Sequence, residues 1–176
     1  IFCFHGVGGN VLNYYPLIKS VGDHPFYGVQ SKAVFTNDFV NQSITEMAKE
    51  YVEEILKLPH SGPYILAGGS MGGVLAIEVG NLLKEHGKEI KNIIMFDTFG
   101  PEVIKILNHQ SLYRRIKKWF FKKILVLIDN PIIENRYQKI EKLNYKALNS
   151  HEISSYKGNI TLIRAPKQKR GVYADD

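Results

Sequence analysis

The run Gly68-Gly69-Ser70-Met71-Gly72 constrains this chain more than any other feature, because of what flanks it. Tyr64 to Ala67 before it is an apolar run of strand length. Met71 to about Glu85 after it carries Val74, Leu75, Ala76, Ile77, Val79, Leu82 and Leu83 around most of a helical circumference. A G-x-S-x-G motif at a strand-to-helix junction is the pattern of a sharp turn that lifts a serine hydroxyl clear of a sheet. Small residues flank it because side chains there would strike neighbouring backbone. The same glycines in a plain tight turn are the alternative. Strand before and helix after favour Ser70 as a nucleophile, with Gly68 and Gly72 as the glycines of the elbow.

The rest of the chain supplies the sheet such a turn requires. Ile1 to His5, Phe26 to Gln30, Ile93 to Asp97 and Asn159 to Arg164 are further strand-like runs, several apolar at nearly every position, as strands covered on both faces of a parallel sheet are. Between them, Ser43 and Glu46 form a capping box that opens a helix with Ile44, Met47, Ala48, Tyr51, Val52, Ile55 and Leu56 along one stripe. Gly87 suits the end of the helix that follows Ser70. Alternating strands and helices imply an α/β domain with a mostly parallel sheet, helices on both faces, and ligand sites at the carboxyl ends of the strands. The stretch from about 98 to 156 breaks the alternation with helical patterns and reads as a lid insertion. A length of 176 residues suits one domain. Ile1 already lies inside a strand-like run, so residues 1–176 are expected to be part of something longer.

A serine hydroxyl needs a base to take its proton and an acid to orient that base. Asp97 ends the run Ile93-Ile94-Met95-Phe96, at the same sheet edge as Ser70, and is the candidate acid; capping a following helix is its other reading. Asp129 has no comparable strand before it. Of the histidines after Asp97, His109 and His151 both precede the last strand-like run and read as surface or lid residues. His24, His60 and His86 read as solvated loop or helix-end residues. The base is therefore expected beyond Asp176. His5-Gly6-Val7-Gly8-Gly9 closes the first strand with a glycine-rich turn. The backbone N–H groups of Val7 and Met71 are the candidate oxyanion-hole donors. A phosphate cradle is the other use of such glycines, but no G-x-x-x-x-G-K pattern follows.

With 44% apolar and 23% charged residues the composition is that of a globular chain. No apolar run approaches the roughly 20 residues of a membrane span, and no signal-peptide pattern opens the sequence, which points to the cytoplasm. The lone Cys3, inside an apolar run, reads as a small buried hydrophobe. The net charge of +6 has a local origin: seven basic and no acidic residues lie between Lys105 and Lys123, while the rest of the chain carries 16 basic and 17 acidic residues. Leu112, Ile116, Trp119 and Phe120 fall among them at helical spacing, so the segment reads as a basic amphipathic helix. It is suited to be a solvated lid face, a dock for an acidic partner or a membrane-surface contact. No nucleic-acid motif accompanies it.

Phe2-Cys3-Phe4-His5 with Gly8-Gly9-Asn10, Tyr14-Tyr15-Pro16-Leu17, Phe26-Tyr27-Gly28-Val29-Gln30, Gly62-Pro63-Tyr64, the elbow around Ser70, and Asn159-Ile160-Thr161-Leu162-Ile163-Arg164-Ala165 together resemble the thioesterase domains of nonribosomal peptide synthetases and polyketide synthases. The resemblance implies an α/β-hydrolase fold with Asp97 as the acid and a catalytic histidine after one further helix and strand. It also implies release of an acyl, peptidyl or polyketide chain from the phosphopantetheine arm of a carrier protein through a Ser70 acyl-enzyme, by hydrolysis or cyclisation. No metal or bound cofactor is implied, and the carrier is expected upstream in the same chain; under the docking reading of the basic segment, Arg114, Arg115, Lys117 and Lys118 are the residues that would meet it. Residues 1–176 alone are expected to turn over little substrate. Gly6 departs from the family, which commonly has proline there. A free-standing editing thioesterase, a lipase-like esterase and a non-catalytic binding protein of the same fold are the alternatives.

Overall fold

The computed structural model describes residues 1–36, 42–98 and 131–164. Within them lies a five-stranded sheet made of β1 (Phe2–Phe4), β2 (Tyr27–Val29), β3 (Tyr64–Gly69), β4 (Ile90–Phe96) and β5 (Ile160–Ile163). The spatial order is β2-β1-β3-β4-β5 and every neighbouring pair is parallel. The order doubles back at β1, so the carboxyl ends of β1 and β3 lie side by side while their following segments leave in different directions. Ligands of open α/β sheets gather at such a point.

All five strands fall where the apolar runs put them, with one shift. β4 begins at Ile90, three residues before its apolar run, because Tyr64 pairs with Ile90 across an irregularity at Tyr64/Ile65. Lys91 and Asn92 hide that start from a pattern of continuous apolarity. β1 and β3 are the most covered strands. β5, by contrast, is exposed along its length, with Ile160, Leu162 and Ile163 each more than two-fifths accessible.

Four α-helices, α1 (Tyr15–Ile18), α2 (Ile44–Leu56), α3 (Met71–Glu85) and α4 (Pro131–Asn149), and two short 3-10 helices, Leu12–Tyr14 and Lys32–Val34, complete the described structure. In α2 the capping box forms as the sequence implies. Ser43 Oγ accepts from the Glu46 N–H at 3.2 Å, and the Ser43 N–H donates to Glu46 Oε2 at 2.7 Å. Ile44, Met47, Ala48, Tyr51, Val52 and Ile55 are buried on one stripe. Helix α3 is buried over nearly its whole length. It ends in a Schellman motif: Gly87 adopts φ +71°, its N–H donates to the Lys84 carbonyl, and the Lys88 N–H donates to that of Leu83. Helix α4 is amphipathic, burying Ile140, Asn144, Ala147 and Leu148 at helical spacing.

One polar residue sits on the covered face of α3. The Glu78 carboxylate, 8% exposed, accepts from the Ser154 N–H at 2.9 Å, from Ser154 Oγ at 2.8 Å and from His151 Nε2 at 2.9 Å. The reading of His151 as a surface residue is thereby corrected: its side chain is 11% exposed and pairs with Glu78. A charged residue amid an otherwise apolar helix was the sequence signal for this anchor. Cys3 is fully buried and free, as its apolar surroundings imply, and burial pushes its thiol up to about 12. No helix among the described residues is long and apolar enough to cross a membrane.

Candidate active site

Ser70 is exposed at the junction of β3 and α3 with φ +54° and ψ −122°, a conformation that L-residues rarely adopt. Neither Gly68 nor Gly72 has a positive φ, so space rather than backbone freedom demands glycine at both. A methyl group at Gly68 would fall 2.8 Å from the Gly72 Cα and closer still to its carbonyl. One at Gly72 would fall 3.0 Å from the His5 carbonyl oxygen and closer still to that of Phe4. The turn is tight because α3 starts directly against β1.

Asp97 follows β4 as Ser70 follows β3. The register pairs Gly69 with Phe96, so the two residues come next on adjacent strands, at the same carboxyl edge. Strand neighbours are about 4.8 Å apart. Asp97 also has positive φ, +43°, and no other non-glycine residue among those described shares this feature with Ser70. Three hydrogen bonds hold this pair of turns: the Ser70 N–H donates to the Phe96 carbonyl at 3.0 Å, the Asp97 N–H to the Ile163 carbonyl at 2.9 Å, and Thr98 Oγ1 to the Ser70 carbonyl at 3.2 Å. Thr98 is buried, and its Cβ lies 2.9 Å from where a methyl at Gly73 would be, which accounts for the second glycine after Met71. Nothing in the motif alone identifies Thr98; its place directly after the candidate acid was the available clue.

Tyr14 ties the same corner to β1. Its hydroxyl donates to the Phe4 carbonyl at 2.9 Å and accepts from the Gly69 N–H at 2.7 Å, and burial pushes it up to about 12. A buried phenol bridging the ends of β1 and β3 keeps the glycine-rich turn beside the elbow.

The turn after β1 is held by the fully buried His5. Its Nδ1 lies 2.7 Å from the Gly6 carbonyl oxygen and its Nε2 2.6 Å from the Tyr51 hydroxyl. A carbonyl only accepts, so Nδ1 carries the proton and Nε2 accepts from Tyr51. Burial lowers His5 to about 4, which keeps the ring neutral. The Gly6 carbonyl also accepts from the Gly9 N–H at 3.0 Å. In a trans peptide the N–H points opposite to the C=O, so fixing the Gly6 carbonyl fixes the direction of the Val7 N–H. Met71, the first residue of α3, has an N–H without an intrahelical acceptor by helix geometry. The sheet thus brings Val7 and Met71 together with Ser70 and Asp97 at one edge.

Three of the other histidines are engaged in contacts away from Ser70. His60 pairs with the Tyr27 hydroxyl, His86 Nδ1 with the Leu82 carbonyl, and His151 with Glu78. His109, Asp129, the candidate docking residues Arg114, Arg115, Lys117 and Lys118, and the basic amphipathic segment as a whole fall outside the described residues.

This sheet order, with an elbow after the third strand and a carboxylate after the fourth, defines the chain as an α/β hydrolase in fold. The family is narrower. A family model described as "Thioesterase domain" matches residues 1–117, and the chain belongs to that family. It is 30% identical over 107 residues to a dimodular nonribosomal peptide synthase of Bacillus subtilis (strain 168), covering 60% of this chain and 4% of that protein. It is 35% identical over 98 residues to polyketide synthase PksR of the same organism, covering 56% of this chain and 4% of that one. The chain thus spans a small fraction of the length of these multidomain relatives. Among solved structures, a covalent complex of the NocB thioesterase domain with a fluorophosphonate nocardicin G analog superposes with a TM-score of 0.73 at 23% identity, over 94% of this chain and 71% of that one. That likeness speaks for the fold.

Proposed function

We propose that this domain releases an acyl, peptidyl or polyketide chain from the phosphopantetheine arm of a carrier protein through an acyl-enzyme on Ser70. The observation that carries the proposal is the side-by-side placement of Ser70 and Asp97, each in a strained turn, at the carboxyl edge of the sheet. Strain of this kind persists where the surrounding structure over-determines it, as the Thr98, Phe96 and Ile163 bonds do here.

The reaction runs in two balanced steps. Ser70 Oγ attacks the thioester carbonyl, a histidine takes its proton, and the negative oxygen rests on the Val7 and Met71 N–H groups. The C–S bond then breaks and the histidine hands the proton to the leaving sulfur, which departs as the carrier's thiol. In the second step water, or an amine or hydroxyl of the substrate itself, attacks the ester and Ser70 recovers its proton. Asp97 orients the histidine and stabilises its cationic form. The proposed place of that histidine is after Asp176, as the resemblance to the family implies; His5, His60, His86 and His151 are engaged in the contacts described above. The carrier partner is supported by the multidomain nature of the relatives, with the basic stretch around Arg114, Arg115, Lys117 and Lys118 as its dock.

The test is labelling of the protein, with its natural downstream segment, by a fluorophosphonate, followed by peptide mapping and an assay of acyl-thioester hydrolysis. The label is expected on Ser70 with loss of activity. Turnover that survives Ser70→Ala would end the acyl-enzyme reading, and equal turnover by residues 1–176 alone would end the assignment of the base.

A further inference from the structure

Helix α4 is not merely a neighbour of the glycine-rich turn; it grips it. The Asn144 side chain, 4% exposed, donates through Nδ2 to the Val7 carbonyl at 2.9 Å. One turn of helix earlier, Ile140 packs on Gly9, where a methyl would fall 2.9 Å from the Ile140 Cγ2. Tyr137 packs on Gly8, where a methyl would fall 2.5 Å from Tyr137 Cζ and closer still to its hydroxyl. Arg136 extends the same contact, with Nε and a terminal nitrogen donating to the Ala33 carbonyl at 3.2 and 3.1 Å, in the segment after β2. That segment is itself bonded to the turn, since the Ser31 N–H donates to the Gly9 carbonyl at 2.9 Å.

The two peptide planes flanking Val7 are therefore held from different parts of the fold. His5 and the Gly9 N–H fix the plane that carries the Val7 N–H, and Asn144 fixes the plane that carries the Val7 carbonyl. Two glycines follow, whose own backbone angles are free, so the chain beyond Val7 depends on contacts of this kind to hold it.

We infer that Asn144 is a positioning residue for the oxyanion hole, so that docking of α4 on the turn sets how well the Val7 N–H is aimed. This rests on the acyl-transfer reading of the site. It makes the glycines at 8 and 9 a seat for α4 as well as a turn. It also couples the seating of the chain between β4 and β5 to catalytic competence, independently of substrate contacts.

The experiment uses the full-length protein and a soluble acyl-N-acetylcysteamine thioester, with an acyl trifluoromethyl ketone as a mimic of the tetrahedral oxyanion. Asn144→Ala is expected to lower kcat about ten- to a hundredfold, less than complete loss of a donor. KM should stay within about threefold, and ketone inhibition should weaken by the same factor as kcat. A raised KM with unchanged kcat, or unchanged ketone affinity, would overturn the inference. Because removal of a buried amide can impair folding, a second pair guards the test. Gly8→Ala should lower kcat by collision with Tyr137, and the double variant Gly8→Ala/Tyr137→Ala should recover at least half of that loss on a logarithmic scale; no recovery would overturn the coupling. A wild-type protein that neither hydrolyses the thioester nor takes a fluorophosphonate on Ser70 would instead refute the acyl-enzyme reading.

Discussion

Helix α3 contains glycines at 72 and 80, both buried and neither with a positive φ, and the structure assigns them opposite responses to one added methyl group. At Gly72 the new carbon would lie 3.0 Å from the His5 carbonyl oxygen and nearer still to that of Phe4. Ordinary carbon–oxygen contacts are about 3.3 Å or more, and both obstacles are β1 backbone. Relief requires α3 and β1 to part. Overpacking of a tight core costs about 1–3 kcal/mol, and two rigid partners put this case at the upper end. Alanine recovers at most about 1 kcal/mol through helix propensity. The net loss is about 2 kcal/mol, or about 4–8 °C in Tm for a chain of this size. At Gly80 the methyl would meet Ile93 Cδ1 at 3.1 Å, Tyr156 Cε2 at 3.2 Å and Leu66 Cδ1 at 3.3 Å. These are side-chain ends that shift by a few tenths of an ångström, so propensity and crowding nearly cancel. Thermal melts of Gly72→Ala and Gly80→Ala beside wild type are the assay. A Gly72→Ala protein as stable as wild type, or a Gly80→Ala protein equally damaged, would refute the claim that backbone proximity dictates the motif's second glycine.

Four further outcomes are expected. Thr98→Val should cost about 0.5–1.5 kcal/mol in urea unfolding by removing one of the donors to the Ser70 carbonyl, which keeps the Gly73 N–H at 3.1 Å, whereas Thr98→Ser should lose less than half of that. Folded His5 titrates at about 4 and an unfolded histidine at about 6.5, so between those values the unfolded chain takes up a proton that the folded one refuses. The contribution is whole above about pH 6.5 and lost as pH falls toward 4, up to about 3 kcal/mol, and unfolding of His5→Gln at pH 7.5 and 4.5 should show a shallower decline than wild type. Asp97→Asn should lower kcat by about 10⁴ with little change in KM if it orients the base, and a change below tenfold would leave it only a structural turn. Reversal of Lys117 and Lys118 to Glu should slow acylation from a carrier-bound substrate and spare a soluble thioester; equal slowing of both would remove the docking role.

The sheet and helices α2 and α3 were legible because each strand is a compact apolar run and these two helices are a stripe and an almost wholly apolar cylinder. The capping box at Ser43 and the cap at Gly87 were readable to the residue, since both depend on bonds within a few positions. The elbow was legible for the same reason. What escaped depends on pairings distant in sequence: Glu78 with His151 and Ser154, Asn144 with Val7, and Tyr14 with Phe4 and Gly69. An asparagine or glutamate on an amphipathic helix reads as solvated until its partner across the fold is known. The start of β4 was missed because its pairing with Tyr64 outweighs the polar Lys91 and Asn92.

The Glu78 anchor changes how the stretch between β4 and β5 can vary. Near its start, Thr98 is fastened to Ser70 at one end of α3, and near its close, His151 and Ser154 are clasped by Glu78 midway along the same helix. One helix therefore serves as a common ruler for both borders of a long excursion of the chain. Sequence inserted, deleted or exchanged between the two fastenings leaves their separation untouched. A lineage could thus rebuild the intervening sequence while the turns at Ser70 and Asp97 keep their alignment.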